Sequence, residues 1–260
     1  MSIVSPVADL ISALAIPPDA RVDQRVPKKL FMEQGAPTAA DKRHLQDGIE
    51  EVTWLAALKP ANIGVASFRD ESREYLEIAV LSTILRTQAK TARLIELMHR
   101  VIPYPVVLLA AHDEAATISL AHKRASQAEG SRVVLEDKVL SVTLAAQPCD
   151  TESAFLKSLP LADQPSQNLF ALYQGWIDCV LALAAARLTG YFAQALSAKA
   201  AAARQSALDD HARIQREIAG LRAQAAKEKQ LSRRVELNLA IKRLEVERTA
   251  LNQALTGETP

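Results

Sequence analysis

The sequence predicts an α+β fold: an N-terminal mixed or antiparallel sheet with flanking helices, followed by an all-helical C-terminal extension, either one long helix or a coiled-coil hairpin. Three observations carry that expectation. From Val52 to Ala145 short apolar runs succeed one another with a single helical repeat among them. The polar stretch QPCDTESAFLKSLPLADQPSQ then ends the pattern. From Ala193 to Leu255 only Gly220 interrupts good helix formers. Residues 1–25 are expected to form an N-terminal helix and linker, 26–161 the α+β domain and 166–257 the helical extension.

ADLISALAI reads as a short helix closed by Pro17 and Pro18, followed by a polar link to VPKKLFMEQ. Thr38 is placed to cap a helix from Ala39 to Gly48. VTWLAAL and YLEIAVLSTIL alternate apolar and polar residues as strands do, with KPANIGVASFRDESRE as a polar link between them. TARLIELMHRVI repeats Leu94, Leu97, Met98, Val101 and Ile102 at helical spacing, and Pro103 stops it. YPVVLLAAH reads as a buried strand. ATISLAHK and RVVLEDKVLSVTLA supply three more strands, with Asp137 and Lys138 expected in a hairpin turn. Successive strands without intervening helices favour an antiparallel or mixed sheet. In LFALYQGWIDCVLALAAARLTGYFAQAL, Leu172, Trp176, Val180 and Leu183 share one helical face.

With 49% hydrophobic residues in 260, the chain can build a real core. Its net charge of +1 gives no global steering towards polyanions. Cys149 and Cys179 lack metal-ligand spacing and suit free thiols in a reducing compartment. Asp9 within the first apolar stretch and the absence of a basic lead do not resemble a secretory signal. The run from Cys179 to Ala186 is shorter than the roughly 20 residues of a membrane span. A cytoplasmic protein without membrane contact is expected.

Leu237, Ile241, Leu244, Leu251 and Leu255 form one apolar stripe on the last helix, and Ile214, Ile218, Leu221 and Ala225 form another upstream. On a continuous helix the two stripes would be rotated by about 130°. Either the chain folds back within KEKQLSRR, or one helix passes from one partner surface to another. Val235, Leu239 and Val246 lie opposite the Leu237 stripe, so the segment has two apolar faces. Val235, Leu237, Ile241, Leu244 and Leu251 are the candidate partner-binding residues. From Arg204 to Leu255 there are eleven Lys or Arg and seven Asp or Glu. Arg233, Arg234 and Lys242 are candidates for nucleic-acid contact, but the cations encircle the helix, whereas counterion release rewards a concentrated track.

No phosphate loop, nucleotide-binding glycine fingerprint, His-Glu-x-x-His or paired-cysteine pattern is present. No cofactor or metal is expected. Asp113 followed by Glu136 and Lys138 matches, loosely, the acidic residue and Glu-x-Lys of metal-dependent nucleases, where carboxylates hold the ion and lysine steadies charge near the attacking water. The competing reading is a surface turn. Asp70, Glu71, Glu74 and Glu77 form a second acidic group, read as a solvated loop.

LKPANIGV, YLEIAVLSTIL, LIELMHRVIPYPVVLLA, LAHKR and KEKQLSRRVELNLAIKRLE, spread from Val26 to Leu255, together resemble a bacterial domain-of-unknown-function family. Its members are often encoded beside helicases and DNA methyltransferases in restriction-modification-like phage-defence loci. The resemblance implies a non-enzymatic accessory subunit that docks a helicase or methyltransferase through its C-terminal helices, reaches DNA through that complex, and is a possible homo-oligomer. A metal-dependent nuclease and a DNA-binding clamp are the alternatives.

Overall fold

A computed structural model describes residues 6–35, 38–126 and 133–257. The chain divides into two compact units, the first ending at Val180 and the second beginning at Leu181. The fold is α+β, with a mixed six-stranded sheet in the first unit and helices in the C-terminal region.

Helix α1 (Pro6–Ala13) leads into β1 (Arg21–Arg25), α2 (Lys29–Gly35) and α3 (Ala39–Gly48). The Thr38 side chain accepts from the backbone N–H of Asp41 at 3.1 Å, so α3 starts and ends where the sequence placed it. Strand β2 (Ile49–Leu58) begins at once, and α4 (Pro60–Ile63), β3 (Phe68–Arg69) and β4 (Glu74–Tyr75) occupy the expected polar link. Then come β5 (Ile78–Leu85), α5 (Thr91–Val101), β6 (Val106–His112), β7 (Ala115–Leu120), β8 (Lys123–Ala125), β9 (Val133–Leu135) and β10 (Leu140–Leu144). Residue 132, where the RVVLE strand was expected to begin, and residues 1–5 lie outside the described residues.

The sheet order is β1-β2-β5-β6-β7-β10, antiparallel except for the β5–β6 pair. A parallel pair needs a crossover, and α5 supplies it. On one sheet face Ala79, Leu81 and Leu85 meet Val106, Leu108 and Ala110 under Leu45, Leu94 and Met98. On β5 and β6 most positions of both faces are buried, which is why their sequences read as nearly continuous apolar runs.

Three local expectations are corrected. The segment RVDQR is a strand despite its polarity: it adds to β2 as an edge, with Asp23 at φ 49° beside a register shift. Asp137 and Lys138 do not close a hairpin, because β9 pairs with β8 while β10 pairs with β7. The stretch expected as a linker lies within the first unit and contains α6 (Asp150–Lys157), capped reciprocally by Cys149 and Glu152 and anchored by the buried Phe155.

Helix α7 (Leu169–Thr189) crosses from the first unit into the second. In the first unit Tyr173 donates to the Val106 carbonyl at 2.7 Å and Trp176 donates to the Leu159 carbonyl at 2.9 Å. Among the described residues α7 alone is long and apolar enough to cross a membrane, and 67% of its apolar window is buried in the fold. Two long helices, α8 (Ala198–Lys227) and α9 (Leu231–Gly257), complete the second unit. Neither Cys149 nor Cys179 is in a disulfide.

Candidate functional site

The second unit decides between one long helix and a hairpin. Ser197 caps α8, its hydroxyl accepting from the Ala200 N–H at 3.2 Å. Glu228 leaves helical geometry, and its carboxylate accepts from the Gln230 N–H at 2.8 Å. The chain therefore reverses at residues 228–230 without glycine or proline. Ile214 and Ile218 of α8 pack with Ile241 of α9, and Leu221, Leu244 and Leu251 close over them. Arg213 reaches Glu247 at 3.6 Å and Arg222 reaches Glu245 at 2.6 Å across the antiparallel pair.

This corrects the use expected of the Leu237 stripe. Ile241, Leu244 and Leu251 are occupied by the hairpin's own seam, and Leu237 on the same line is buried. Among the predicted partner-binding residues Val235 alone points outward. The opposite stripe is open to solvent: Leu231, Val235, Leu239 and Val246 are 68%, 49%, 54% and 67% exposed. Aliphatic side chains at that exposure, repeated along one face, mark an interaction surface more than scattered surface residues do.

Of the cations singled out in the sequence, Arg233 is engaged by Glu236 at 2.6 Å. Arg234 and Lys242 lie about 80° apart on the helix and about 100° and 180° from Arg233, so the three make no common track.

Nor does the fold assemble Asp113, Glu136 and Lys138. Asp113 sits in the turn before β7 at φ 52°, a conformation aspartate tolerates. Glu136 is pinned beyond the other end of β7, its N–H donating to the His122 carbonyl at 3.0 Å. The intervening strand separates them by about 20 Å. Lys138 lines a separate depression with Glu96, Arg100 and Asp137. Among the described residues no three His, Cys, Asp or Glu side chains are grouped as metal ligands would be.

Glu136 belongs instead to a cluster that no local pattern announces. Arg73 grips it through two guanidinium nitrogens, one at 2.8 Å, and also reaches Asp70 at 3.4 Å. The guanidinium lies 5.3 Å from the centroid of Phe170, which stacks on His122 at 4.9 Å. Tyr75 donates to Nδ1 of His122, whose Nε2–H donates to Gln174 at 2.7 Å, and Gln174 donates to Asp178 at 2.8 Å. The Arg73 hydrogen bond holds the Glu136 carboxyl below its usual range. Burial pushes the Tyr75 hydroxyl up and the His122 imidazole down, so both stay neutral.

Beside this cluster opens a cleft of about 760 Å³ lined by Lys59, Arg69, Glu71, Glu77, Tyr104 and Arg124 among others. Most of its charges are internally matched. Arg69 pairs with Glu74, Lys59 pairs with Glu77 at 3.1 Å, and Asp70 accepts from the Ser72 and Arg73 N–H groups at 2.8 and 2.6 Å. At its inner end Lys123 is buried and donates to the carbonyls of His99 and, at 2.9 Å, Ile102, closing the C-terminus of α5. Burial pulls this amine down to about 7.

A family model described as a domain of unknown function (DUF4391) matches residues 14–247. No curated protein and no solved structure matches the chain.

Proposed function

The chain belongs to the DUF4391 family, and we propose that it is a non-enzymatic accessory subunit that works by docking other proteins through its helical hairpin. The complex it serves is DNA-directed and acts in phage defence in the bacterial cytoplasm, with a helicase or DNA methyltransferase as the larger subunit. Identification of that complex rests on the sequence resemblance. The docking role rests on one observation: the outward stripe of Leu231, Val235, Leu239 and Val246 lies opposite a seam that already satisfies the hairpin. Burying that stripe in an interface removes apolar area from water without rearranging the fold.

Matched ion pairs and backbone caps account for most of the charged side chains around the large cleft, which supports a structural role for the Arg73–Glu136 cluster. The test is co-purification of tagged full-length chain with the helicase or methyltransferase proposed as its larger subunit. Leu239→Glu combined with Val246→Glu should abolish recovery while circular dichroism stays unchanged. Full recovery with the double variant overturns the assignment of the docking face.

A further inference from the structure

We infer that the occupant of the outward α9 face is the same face of a second copy of this chain, packed antiparallel, so that two hairpins join through α9 and the larger subunit docks on the joined pair. The inference rests on the reading of that face as a docking surface and names what covers it. Leu231, Val235, Leu239 and Val246 fall within an arc of about 80°, a seam narrow enough for one helix.

The register follows from side-chain identity. With the two-fold axis between Ala240 and Ile241, Val235 meets Val246 of the second copy, and Leu231 meets Ala250 of the second copy. Leu239 then lies on the aliphatic stem of Lys242 of the second copy, whose ammonium emerges at the rim. The same register sets Glu236 beside Arg243 of the second copy, and the two-fold repeats that pair in the opposite sense. Glu236 and Arg243 are both exposed, and the ion pair of Glu236 with Arg233 is a solvated one. A parallel pairing would instead bring Lys242 against Lys242 of the second copy inside the seam. Charge therefore selects the antiparallel arrangement. The segment from Leu231 to Ala250 is about 30 Å long, enough for a continuous helix–helix contact.

Sedimentation velocity on the full chain tests this. At tens of micromolar the wild type is expected at the mass of two chains, and Leu239→Glu at the mass of one. Glu236→Arg and Arg243→Glu should each weaken association about tenfold through two repulsive contacts, and the combined exchange should restore it. Wild type at the mass of one chain overturns the second copy as occupant. A two-chain mass indifferent to Leu239→Glu and to the charge exchanges also overturns it. If the wild type is a single chain yet Leu239→Glu loses the larger subunit in co-purification, the second copy is excluded and the docking face stands. If neither measurement responds, both fall.

Discussion

Arg73 and Glu136, 63 residues apart in sequence, form a two-point ion pair that ties the end of the β3–β4 hairpin to the segment leaving β9. Their side chains are 30% and 21% exposed, so neither loss is cushioned fully by water. Glu136→Ala should lower stability by about 1–3 kcal/mol by taking the two-point acceptor from a half-buried guanidinium and leaving it only the longer contact to Asp70. A double-mutant cycle with Arg73→Ala should return a coupling of about 1 kcal/mol or more in chemical denaturation. Additive single effects would show that the pair is incidental to the fold.

His99 is fully buried, donates from Nε2 to the Ser119 hydroxyl at 3.0 Å, and has Nδ1 without a partner among the described residues. Burial and then the nearby Lys123 lower it from 6.5 to about 3. Between those values the unfolded chain binds a proton that the folded chain refuses, so stability is complete above pH 6.5 and falls as pH drops towards 3. In His99→Leu the slope of stability against pH in that window should shrink by up to about 1.4 kcal/mol per pH unit. An unchanged acid limb would place the titration elsewhere.

Lys123 acts in the same direction, over a higher pH window. Its folded value of about 7 lies below the ordinary lysine value of 10.5, so the unfolded chain binds more protons between them and stability rises with pH across that window. Urea midpoints from pH 7 to 9 should climb in the wild type and lose that climb in Lys123→Met.

The inner seam of the hairpin and the outward stripe of α9 should separate cleanly. Ile218, 1% exposed in the seam, should cost about 2–5 kcal/mol on substitution by alanine and reduce helical signal. Leu239→Ala, on the outward face, should change stability by no more than about 0.5 kcal/mol. Equal losses would mean that the seam and the face have been exchanged.

At Gly175 an added Cβ would lie 2.6 Å from the Pro165 ring and 2.7 Å from Gln164. Gly175→Ala should therefore destabilise by about 1–3 kcal/mol despite better helix propensity. Thermal unfolding reads the sign directly.

Elements with strong local signals were legible in the sequence. The Thr38 cap gave α3, the 3.6-residue repeat before Pro103 gave α5, and the unbroken apolar run gave β6. Segments whose structure depends on a distant partner were not. RVDQR becomes a strand only by pairing with β2, and β9 joins β8 instead of β10. Periodicity also exposed two apolar faces on α9 and the offset between its stripe and that of α8. It could not say which face the hairpin consumes, because that depends on a reversal at Glu228 to Gln230 held by a carboxylate cap instead of glycine or proline. The Arg73–Glu136–His122 cluster gathers residues from four parts of the chain and left no local trace.

The outward face of α9 carries the functional account, and one measurement bears on it most directly. Full-length chain bearing two different tags is co-expressed with the helicase or methyltransferase proposed as its larger subunit, and one tag is captured. The wild type should bring down the second tag and the larger subunit, and the chain carrying Leu239→Glu and Val246→Glu should bring down neither while keeping its helical content. Recovery of both by the folded double variant would contradict the account.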